Sequence, residues 1–185
     1  MKRYKLSVGE AITGKVFRDD LITRIKELGV EKVAEATERT VRTVQRWVAG
    51  TQKPRADAAS RLQETSDEFR KTKQWRRKMM PRSREKRLKA KGGQTHMNAD
   101  CGPQNDSPGA SIRERRFSWE LTGPGLAAVI DAWLERGEEA ARRALDEVLY
   151  WEYIQAMEYK PGTEEPNWGF TTVTLYGLEI NHFHE

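Results

Sequence analysis

Apolar residues in the first third of the chain recur at helical spacing. Leu21, Ile22, Ile25 and Leu28 form one stripe, with Asp19-Asp20 ahead of it as a cap and Gly29 behind it as a stop. Val33 and Ala34, then Val44 and Trp47, predict two short helices that share a buried face. Ala58, Ala59 and Leu62 predict a further helix that closes a small core. Residues 2–17 read as a basic lead-in with a short helix near 9–12. The last third follows another rhythm. Phe117 and Trp119 alternate with Ser118 and Glu120, which predicts a strand over 115–121. Gly123-Pro124-Gly125 opens a helix with Leu126, Ile130 and Leu134 on one face. Residues 138–153 repeat the helical pattern through Ala141, Leu145, Val148, Leu149 and Tyr153. After a loop over 161–166, residues 170–175 and 178–183 alternate as strands, interrupted by a bulge or bend at Tyr176-Gly177.

The predicted fold class is therefore α+β: an N-terminal all-α helix-turn-helix domain with a basic extension, and a small C-terminal α+β domain. The expected boundaries are 1–66 for the helix-turn-helix domain, 67–92 for a basic nucleic-acid-binding extension, 93–110 for a linker and 111–185 for the α+β domain. The linker assignment rests on a stretch rich in Gly, Asn, Asp and Pro with almost no apolar residues. His96 lies alone within it and reads as solvated, and Cys101 reads as an exposed thiol.

The helix-turn-helix carries the first chemistry. Its turn is Thr37-Glu38-Arg39, and Thr40 is suited to cap the second helix, which spans 40–49. Val44 and Trp47 point back towards Ala34, leaving Thr40, Val41, Arg42, Gln45 and Arg46 on the outer face. Arginine and glutamine there are able to meet base edges and phosphates in a major groove. Lys53 and Arg55 follow directly and extend the basic surface. Glu38 stands where such a turn often has Gly, so it must accept a strained or positive φ at a cost on the order of 1 kcal/mol. Arg39 stands where an apolar residue is usual. Gly50 is placed to end the recognition helix in αL geometry, with Pro54 ahead of the next one.

Charge sharpens the division. The net charge is +5, but residues 1–92 hold 26 Lys/Arg against 12 Asp/Glu, whereas residues 93–185 hold 7 against 16. A basic half fits nucleic acid and an acidic half repels it. Residues 70–91 alone carry 12 Lys/Arg and one acid, Glu85. Such a run, including Arg76, Arg77 and Lys78, is expected to contact phosphates with steep salt dependence. Trp75 inside it either stacks on an unpaired base or anchors the segment against Phe69, and Pro81 divides it into two helices.

The single cysteine excludes an internal disulfide and a cysteine-rich zinc site. His182 and His184, two ligands at a terminus, fall short of a metal site, so no metal or other cofactor is expected. No Walker or H-E-x-x-H motif occurs. Neither a membrane-spanning run nor a signal peptide is apparent, which predicts a cytoplasmic protein that does not associate with membrane.

Three patches of sequence carry a resemblance: VAEATERTVRTVQRWVAG, with KPRADAASRL after it; LAAVIDAWLERGEEAARRALDEVLYWEYI; and the terminal GLEINHF. Together they resemble the telomere terminal proteins (Tpg family) of streptomycete linear chromosomes and plasmids. The turn residues Glu38-Arg39 and the linker depart from that family. The resemblance implies a DNA-binding protein that caps the 5′ ends of linear replicons and acts as a protein primer for end-patching. It implies that a side-chain hydroxyl attacks the α-phosphate of the first nucleotide, while a partner DNA polymerase supplies the metal ions. The protein itself would then be no enzyme. Ser118, after Arg113, Arg115 and Arg116, is the first candidate for that hydroxyl and falls at the family's priming threonine. Thr122 is the second. Partners implied are telomeric DNA ends with their single-stranded overhang, a telomere-associated DNA-binding protein and a DNA polymerase. The alternative is a transcriptional repressor of phage or plasmid type, its C-terminal domain a dimerisation module that makes a homodimer.

Overall fold

The computed structural model describes residues 6–103, 113–154 and 168–180; within these, the side chains at 99–103, 113–115, 117, 153–154, 168–172 and 180 are left aside. The fold is α+β, as the pattern of apolar residues predicts, with a three-stranded antiparallel sheet among the described residues. The chain divides into two compact units, Phe17–Lys78 and Met1–Val16 together with Met79–Glu185. The smaller unit is thus inserted, in chain order, between the N-terminal segment and the rest of the larger one.

The smaller unit holds α2 (Leu21–Leu28), α3 (Val30–Thr37), α4 (Val41–Val48), α5 (Ala56–Arg70) and nearly all of α6 (Lys73–Met79), after α1 (Val8–Thr13), which belongs to the larger unit. Its core is Ile25, Val33, Ala34, Val44, Trp47, Ala58 and Leu62, with Leu21, Leu28, Val30 and Val48 packed around it. Caps set the helix ends. Asp20 accepts a hydrogen bond from the Thr23 amide at 2.9 Å, and Thr40 accepts one from the Thr43 amide at 3.3 Å. Each removes one unsatisfied amide from a first turn.

The larger unit holds α1, α7 (Arg82–Lys91), β1 (Gly93–Pro103), β2 (Arg113–Leu121), α8 (Gly123–Arg136), α9 (Glu138–Leu149), a π turn (Tyr150–Ile154) and β3 (Trp168–Ile180). The sheet order is β2-β1-β3. Period-two alternation gives it two unlike faces. Gly93, Thr95 and Met97 of β1, Leu121 of β2 and Leu175 and Leu178 of β3 are buried on the face towards the unit's core. There the core continues through Leu126, Val129, Ile130, Trp133 and Leu134 of α8 and Ala141, Leu145 and Leu149 of α9. The other face carries Gln94, His96, Arg116, Ser118, Glu120 and Glu179 and is polar throughout these positions.

Two expected boundaries are corrected. Residues 93–103, read as linker, form the central strand of the sheet, paired on both edges: Met97 lies opposite Phe117 and Leu175. Among the described side chains, polar Gln94, His96 and Asn98 alternate with a short buried set, Gly93, Thr95 and Met97, that is too sparse to register as apolar. The remaining residues of that stretch, 104–110, lie outside the described set. Residues 6–16 also leave the helix-turn-helix domain. Leu6 bridges to Leu175 with an amide–carbonyl bond of 3.0 Å, and the Glu138 carboxylate at the start of α9 accepts from the Val8 and Gly9 amides at 2.6 and 2.9 Å. An anion on the first turn of α1 satisfies free amides and meets the positive end of the helix dipole. The expected strands after 168 are one strand whose register shifts between His96 and Met97. There Gly177 pairs His96 and Leu175 pairs Met97, so Tyr176 is the extra residue. The expected loop over 161–166, the end of the last strand at 181–183 and His182 and His184 lie outside the described residues.

The basic extension is the third correction. It is cut by the boundary at Lys78/Met79, and many of its cations hold the chain together. Arg70 donates from Nε to Glu27 Oε2 at 2.8 Å, from Nη1 to Asp19 Oδ1 at 3.1 Å and from Nη2 to the Arg18 carbonyl at 2.7 Å. Arg24 adds a 2.6 Å bridge to Asp19, and these two guanidiniums, Arg24 before Arg70, hold the Asp19 carboxyl below its ordinary range. Arg76 is buried and donates to the Lys71 carbonyl, and Lys78 donates to the Glu27 carbonyl at 2.9 Å. Trp75 is buried with its ring edge-to-face with Phe17, centroids 4.9 Å apart. It is an anchor, against Phe17 where the sequence suggested Phe69. On α7, Lys89 reaches Asp131 at 2.6 Å and Glu85 at 3.1 Å.

Arg84 does the same work inside the larger unit. Its guanidinium donates to the carbonyls of Ile12, Ala11 and Leu178 at 2.8, 3.1 and 2.9 Å, linking the end of α1 to β3. A cation at a helix C-terminus complements the dipole, and burial, ahead of repulsion from Arg87, pushes the Arg84 pKa down. Replacing Arg84 by Met strands three carbonyls at once. We expect a loss of about 2–3 kcal/mol, since hydrogen bonds to charged groups are worth roughly 1.5–3 kcal/mol, read as a lower midpoint in urea unfolding. An unchanged midpoint would show that water replaces the guanidinium.

Candidate functional site

The turn between α3 and α4 is closed by main-chain bonds. The Glu38 amide donates to the Glu35 carbonyl at 3.1 Å and the Arg39 amide to the Ala34 carbonyl at 2.9 Å. Glu38 takes φ 54° and ψ 42°, the left-handed conformation the sequence requires of it, and among the described residues it is the one non-glycine with positive φ. The two unusual turn residues both pair with α5. Glu38 meets Arg61 at 2.7 Å and Arg39 meets Asp57 at 2.8 Å. These exposed pairs are each worth at most about 1 kcal/mol, comparable to the strain at Glu38. A salt-bridged polar turn thus stands where a glycine and an apolar plug would otherwise serve.

Beyond the turn, α4 buries Val44 and Trp47 and turns Thr40, Val41, Arg42, Gln45 and Arg46 outward. All five are exposed, as are Lys53 and Arg55. The side chains of Arg42, Gln45 and Arg46 make no hydrogen bond or ion pair with any described residue. Val41, 39% exposed, leaves an apolar contact beside them, suited to a thymine methyl. After Val48, Gly50 takes φ 72° and the Thr51 amide closes on the Arg46 carbonyl at 3.1 Å, so the helix ends one residue beyond Trp47. The face is therefore short and supplied with donors. Arg76, Arg77 and Lys78, expected to join it, do not form a comparable array: Arg76 is buried and Lys78 bonds to Glu27, while Arg77 is exposed.

The second constellation is on the polar face of the sheet. Ser118 of β2 lies directly opposite His96 of β1, and its Oγ is 2.7 Å from His96 Nδ1. The other ring nitrogen, Nε2, is 3.6 Å from Glu179 Oε1 on β3. Opposite His96, β3 carries Gly177, where a Cβ would lie 3.4 Å from the ring. The ring is therefore uncrowded from that strand. The serine is exposed and the imidazole is 35% exposed. Arg116, exposed and two residues from Ser118, shares its face. The side chains of Arg113 and Arg115 lie outside the described residues. His96, read from sequence as a solvated linker residue, is thus the partner of the leading hydroxyl candidate. Only strand pairing joins residues 22 positions apart, so sequence spacing held no signal for it.

Thr122 is placed differently. It is the N-cap of α8, accepting from the Gly125 amide at 3.1 Å. Its own hydroxyl donates to the Glu152 carboxylate, which also accepts from the Thr122 amide at 2.8 Å. A side chain on Gly125 would collide with Glu152 Oε1, at 2.2 Å, so the glycine is what lets the carboxylate reach. Thr122 also borders a cleft of about 570 Å³ with Lys91 and Trp119. Its hydroxyl is committed to capping, whereas that of Ser118 faces solvent beside a base. Among the described residues no cluster of three or more His, Cys, Asp or Glu is placed to hold a metal ion, and no helix is long and apolar enough to cross a membrane. The side chain of Cys101 lies outside the described set.

No family model, curated protein or solved structure matches the chain.

Two outcomes follow from the α4 geometry. Glu38→Gly removes left-handed strain but also the Arg61 pair of similar size, so a net change within about 0.5 kcal/mol of zero is expected in thermal unfolding. A larger loss would mean that the ion pair outweighs the strain. Arg42→Ala and Arg46→Ala should weaken binding to a selected cognate duplex more than to random duplex, by roughly 1–3 kcal/mol of discrimination each. Equal loss on every sequence, measured by fluorescence anisotropy, would reduce both residues to phosphate contacts.

Proposed function

We propose that this protein is a DNA-binding terminal protein: it docks on the ends of a linear replicon and offers a hydroxyl to which the first nucleotide is joined. The observation that carries the reading is the exposed Ser118 hydroxyl held 2.7 Å from an imidazole nitrogen, in a unit separate from the one that presents α4. A protein primer needs these two things apart: a surface that finds the DNA, and a hydroxyl that can replace a primer 3′-OH. Val41, Arg42, Gln45 and Arg46 would read the duplex, with Thr40, Lys53 and Arg55 on its backbone. Phosphate contacts position such a helix, and base contacts specify it. Ser118 would accept the nucleotide, with Arg116 offsetting the charge of the incoming phosphates. Thr122 is the second choice, because linking it would break the cap of α8, worth roughly 1 kcal/mol.

In this reading the chain is no enzyme. A partner DNA polymerase supplies the metal ions and the in-line geometry, and a telomere-associated DNA-binding protein helps recruit both to the end. The place of action is then the bacterial nucleoid or the ends of a plasmid. One observation favours the repressor reading instead. With Arg70, Arg76, Lys78, Arg84 and Lys89 bonded within the chain, residues 67–92 supply less sequence-blind affinity than their composition suggests. A dimeric repressor using the same recognition helix needs no more than that.

Labelling separates the two. With polymerase, divalent metal, template ends and a radiolabelled nucleotide, label should stay with the protein through denaturing electrophoresis. Ser118→Ala should abolish it while leaving DNA binding intact, and alkali should release the label from wild type by β-elimination. If Ser118→Ala labels normally and Thr122→Ala does not, the linkage residue is Thr122. A wild-type chain that is never labelled, yet represses a promoter, is a repressor.

A further inference from the structure

The polar face of the sheet brings three groups of complementary chemistry onto three different strands. Ser118 comes from β2, His96 from β1 and Glu179 from β3, and the sheet order puts the imidazole in the middle. Ser118 Oγ is within hydrogen-bond distance of Nδ1, and a carboxylate oxygen stands 3.6 Å from Nε2. If Nδ1 accepts the serine proton, the ring's own hydrogen is on Nε2, the side that faces Glu179. A carboxylate there favours that tautomer and stabilises the imidazolium that forms when the proton moves. Nucleophile, base and orienting acid in this sequence are the general pattern of an activated hydroxyl. A cross-strand Ser–His hydrogen bond by itself would account for one contact; it does not require an acid behind the ring.

We propose that Ser118, His96 and Glu179 form a proton relay that makes the Ser118 hydroxyl reactive towards phosphorus electrophiles, with His96 as the base and Glu179 as its positioning residue. Its use on a nucleoside triphosphate rests on the priming reading above. In that step Ser118 Oγ bonds to the α-phosphorus of a metal-bound nucleoside triphosphate, supplied with its cation by the polymerase. The proton passes to His96 Nδ1, the bond from the α-phosphorus to the bridging oxygen breaks, and pyrophosphate leaves. The imidazolium then returns its proton to solvent. Arg116 faces the incoming phosphates, and among the described residues Glu120 and Glu179 are the acidic groups on the same face. The relay differs from what the polymerase provides: metal ions activate and orient the triphosphate, whereas the base for the serine comes from the chain itself.

The test uses the full chain and a probe that needs no polymerase. A fluorophosphonate transfers its phosphonyl group to an activated serine as the P–F bond breaks and fluoride leaves, with the proton going to the base. Peptide mass spectrometry should find the adduct on Ser118. Its rate should fall at least ~100-fold in His96→Gln, the lower end of what general-base catalysis supplies. Free imidazole should restore part of the rate in His96→Gly, a rescue that a purely structural histidine would not give. Glu179→Gln should slow the reaction and Glu179→Asp should retain most of it. Thermal unfolding of each variant, with His96→Asn as a second replacement, identifies any loss that comes from misfolding. The proposal is overturned if Ser118 reacts no faster in wild type than in folded His96→Gln or His96→Asn, or if imidazole leaves His96→Gly unchanged. Histidine-dependent reaction with the fluorophosphonate, but no nucleotide transfer with polymerase and template, keeps the relay and removes the priming reading. Nucleotide transfer to Ser118 that is undiminished in His96→Gln does the reverse.

Discussion

The larger unit depends on β1 being paired along both edges. Gly93, Thr95 and Met97 face the core, so the register of β1 against β2 and β3 is fixed by burial. A slip of one residue would put His96 and Asn98 inside and expose Met97. That same constraint places His96 opposite Ser118 and next to Glu179. The bulge at Tyr176 contributes as well. It absorbs one residue between Leu175 and Gly177, so that both Leu175 and Leu178 can be buried while Glu179 stays on the outer face. The Ser118–His96–Glu179 arrangement is therefore a by-product of packing on the opposite side of the sheet. Three residues with no sequence proximity are held in place by the apolar neighbours that alternate with them.

The smaller unit works on a different principle. Its helices are short, and isolated helices of this length are marginal in water. What holds them is a shared core in which Val33, Val44, Ala58 and Leu62 are almost wholly buried and Trp47 closes one end. Seating Val44 and Trp47 inward is what turns Arg42, Gln45 and Arg46 outward. The turn adds little energy of its own, because the strain at Glu38 and its surface ion pair to Arg61 are of similar size and opposite sign. Orientation of the outward face of α4 follows from core packing, and the turn supplies only the change of direction.

The basic stretch over residues 70–91 shows how a charge count misleads. Twelve cations between residues 70 and 91 suggest a surface for phosphates, yet several are bonded to carboxylates and carbonyls that come from distant parts of the sequence. Asp19, Glu27 and Asp131 serve the side chains of Arg70 and Lys89, and three main-chain carbonyls serve Arg84. A side-chain donor aimed at a carbonyl cannot be read from composition, since the acceptor is present in every residue. Exposed cations remain on the segment, but it is in large part a clasp.

The features legible in the chain alone were the local ones. The caps at Asp20 and Thr40, the stop at Gly29, the left-handed backbone at Glu38, the break at Pro81 and the bulge near Tyr176 follow from residue type and period, and each depends on atoms only a few positions apart. The inward and outward faces of α4 were legible for the same reason, because 3.6-residue spacing assigns them without reference to anything else. The rest was settled by long-range packing and strand pairing. Residues 93–103 are a central strand although they look like a linker, because a strand paired on both sides can carry few apolar residues when its partners and α8 supply the buried surface. Residues 6–16 join the larger unit through Leu175 and Glu138, more than a hundred positions away. Ser118 stood out in the sequence, but the histidine and carboxylate beside it did not. Hydrogen bonds between strands link residues by register, and register is settled by the whole core at once.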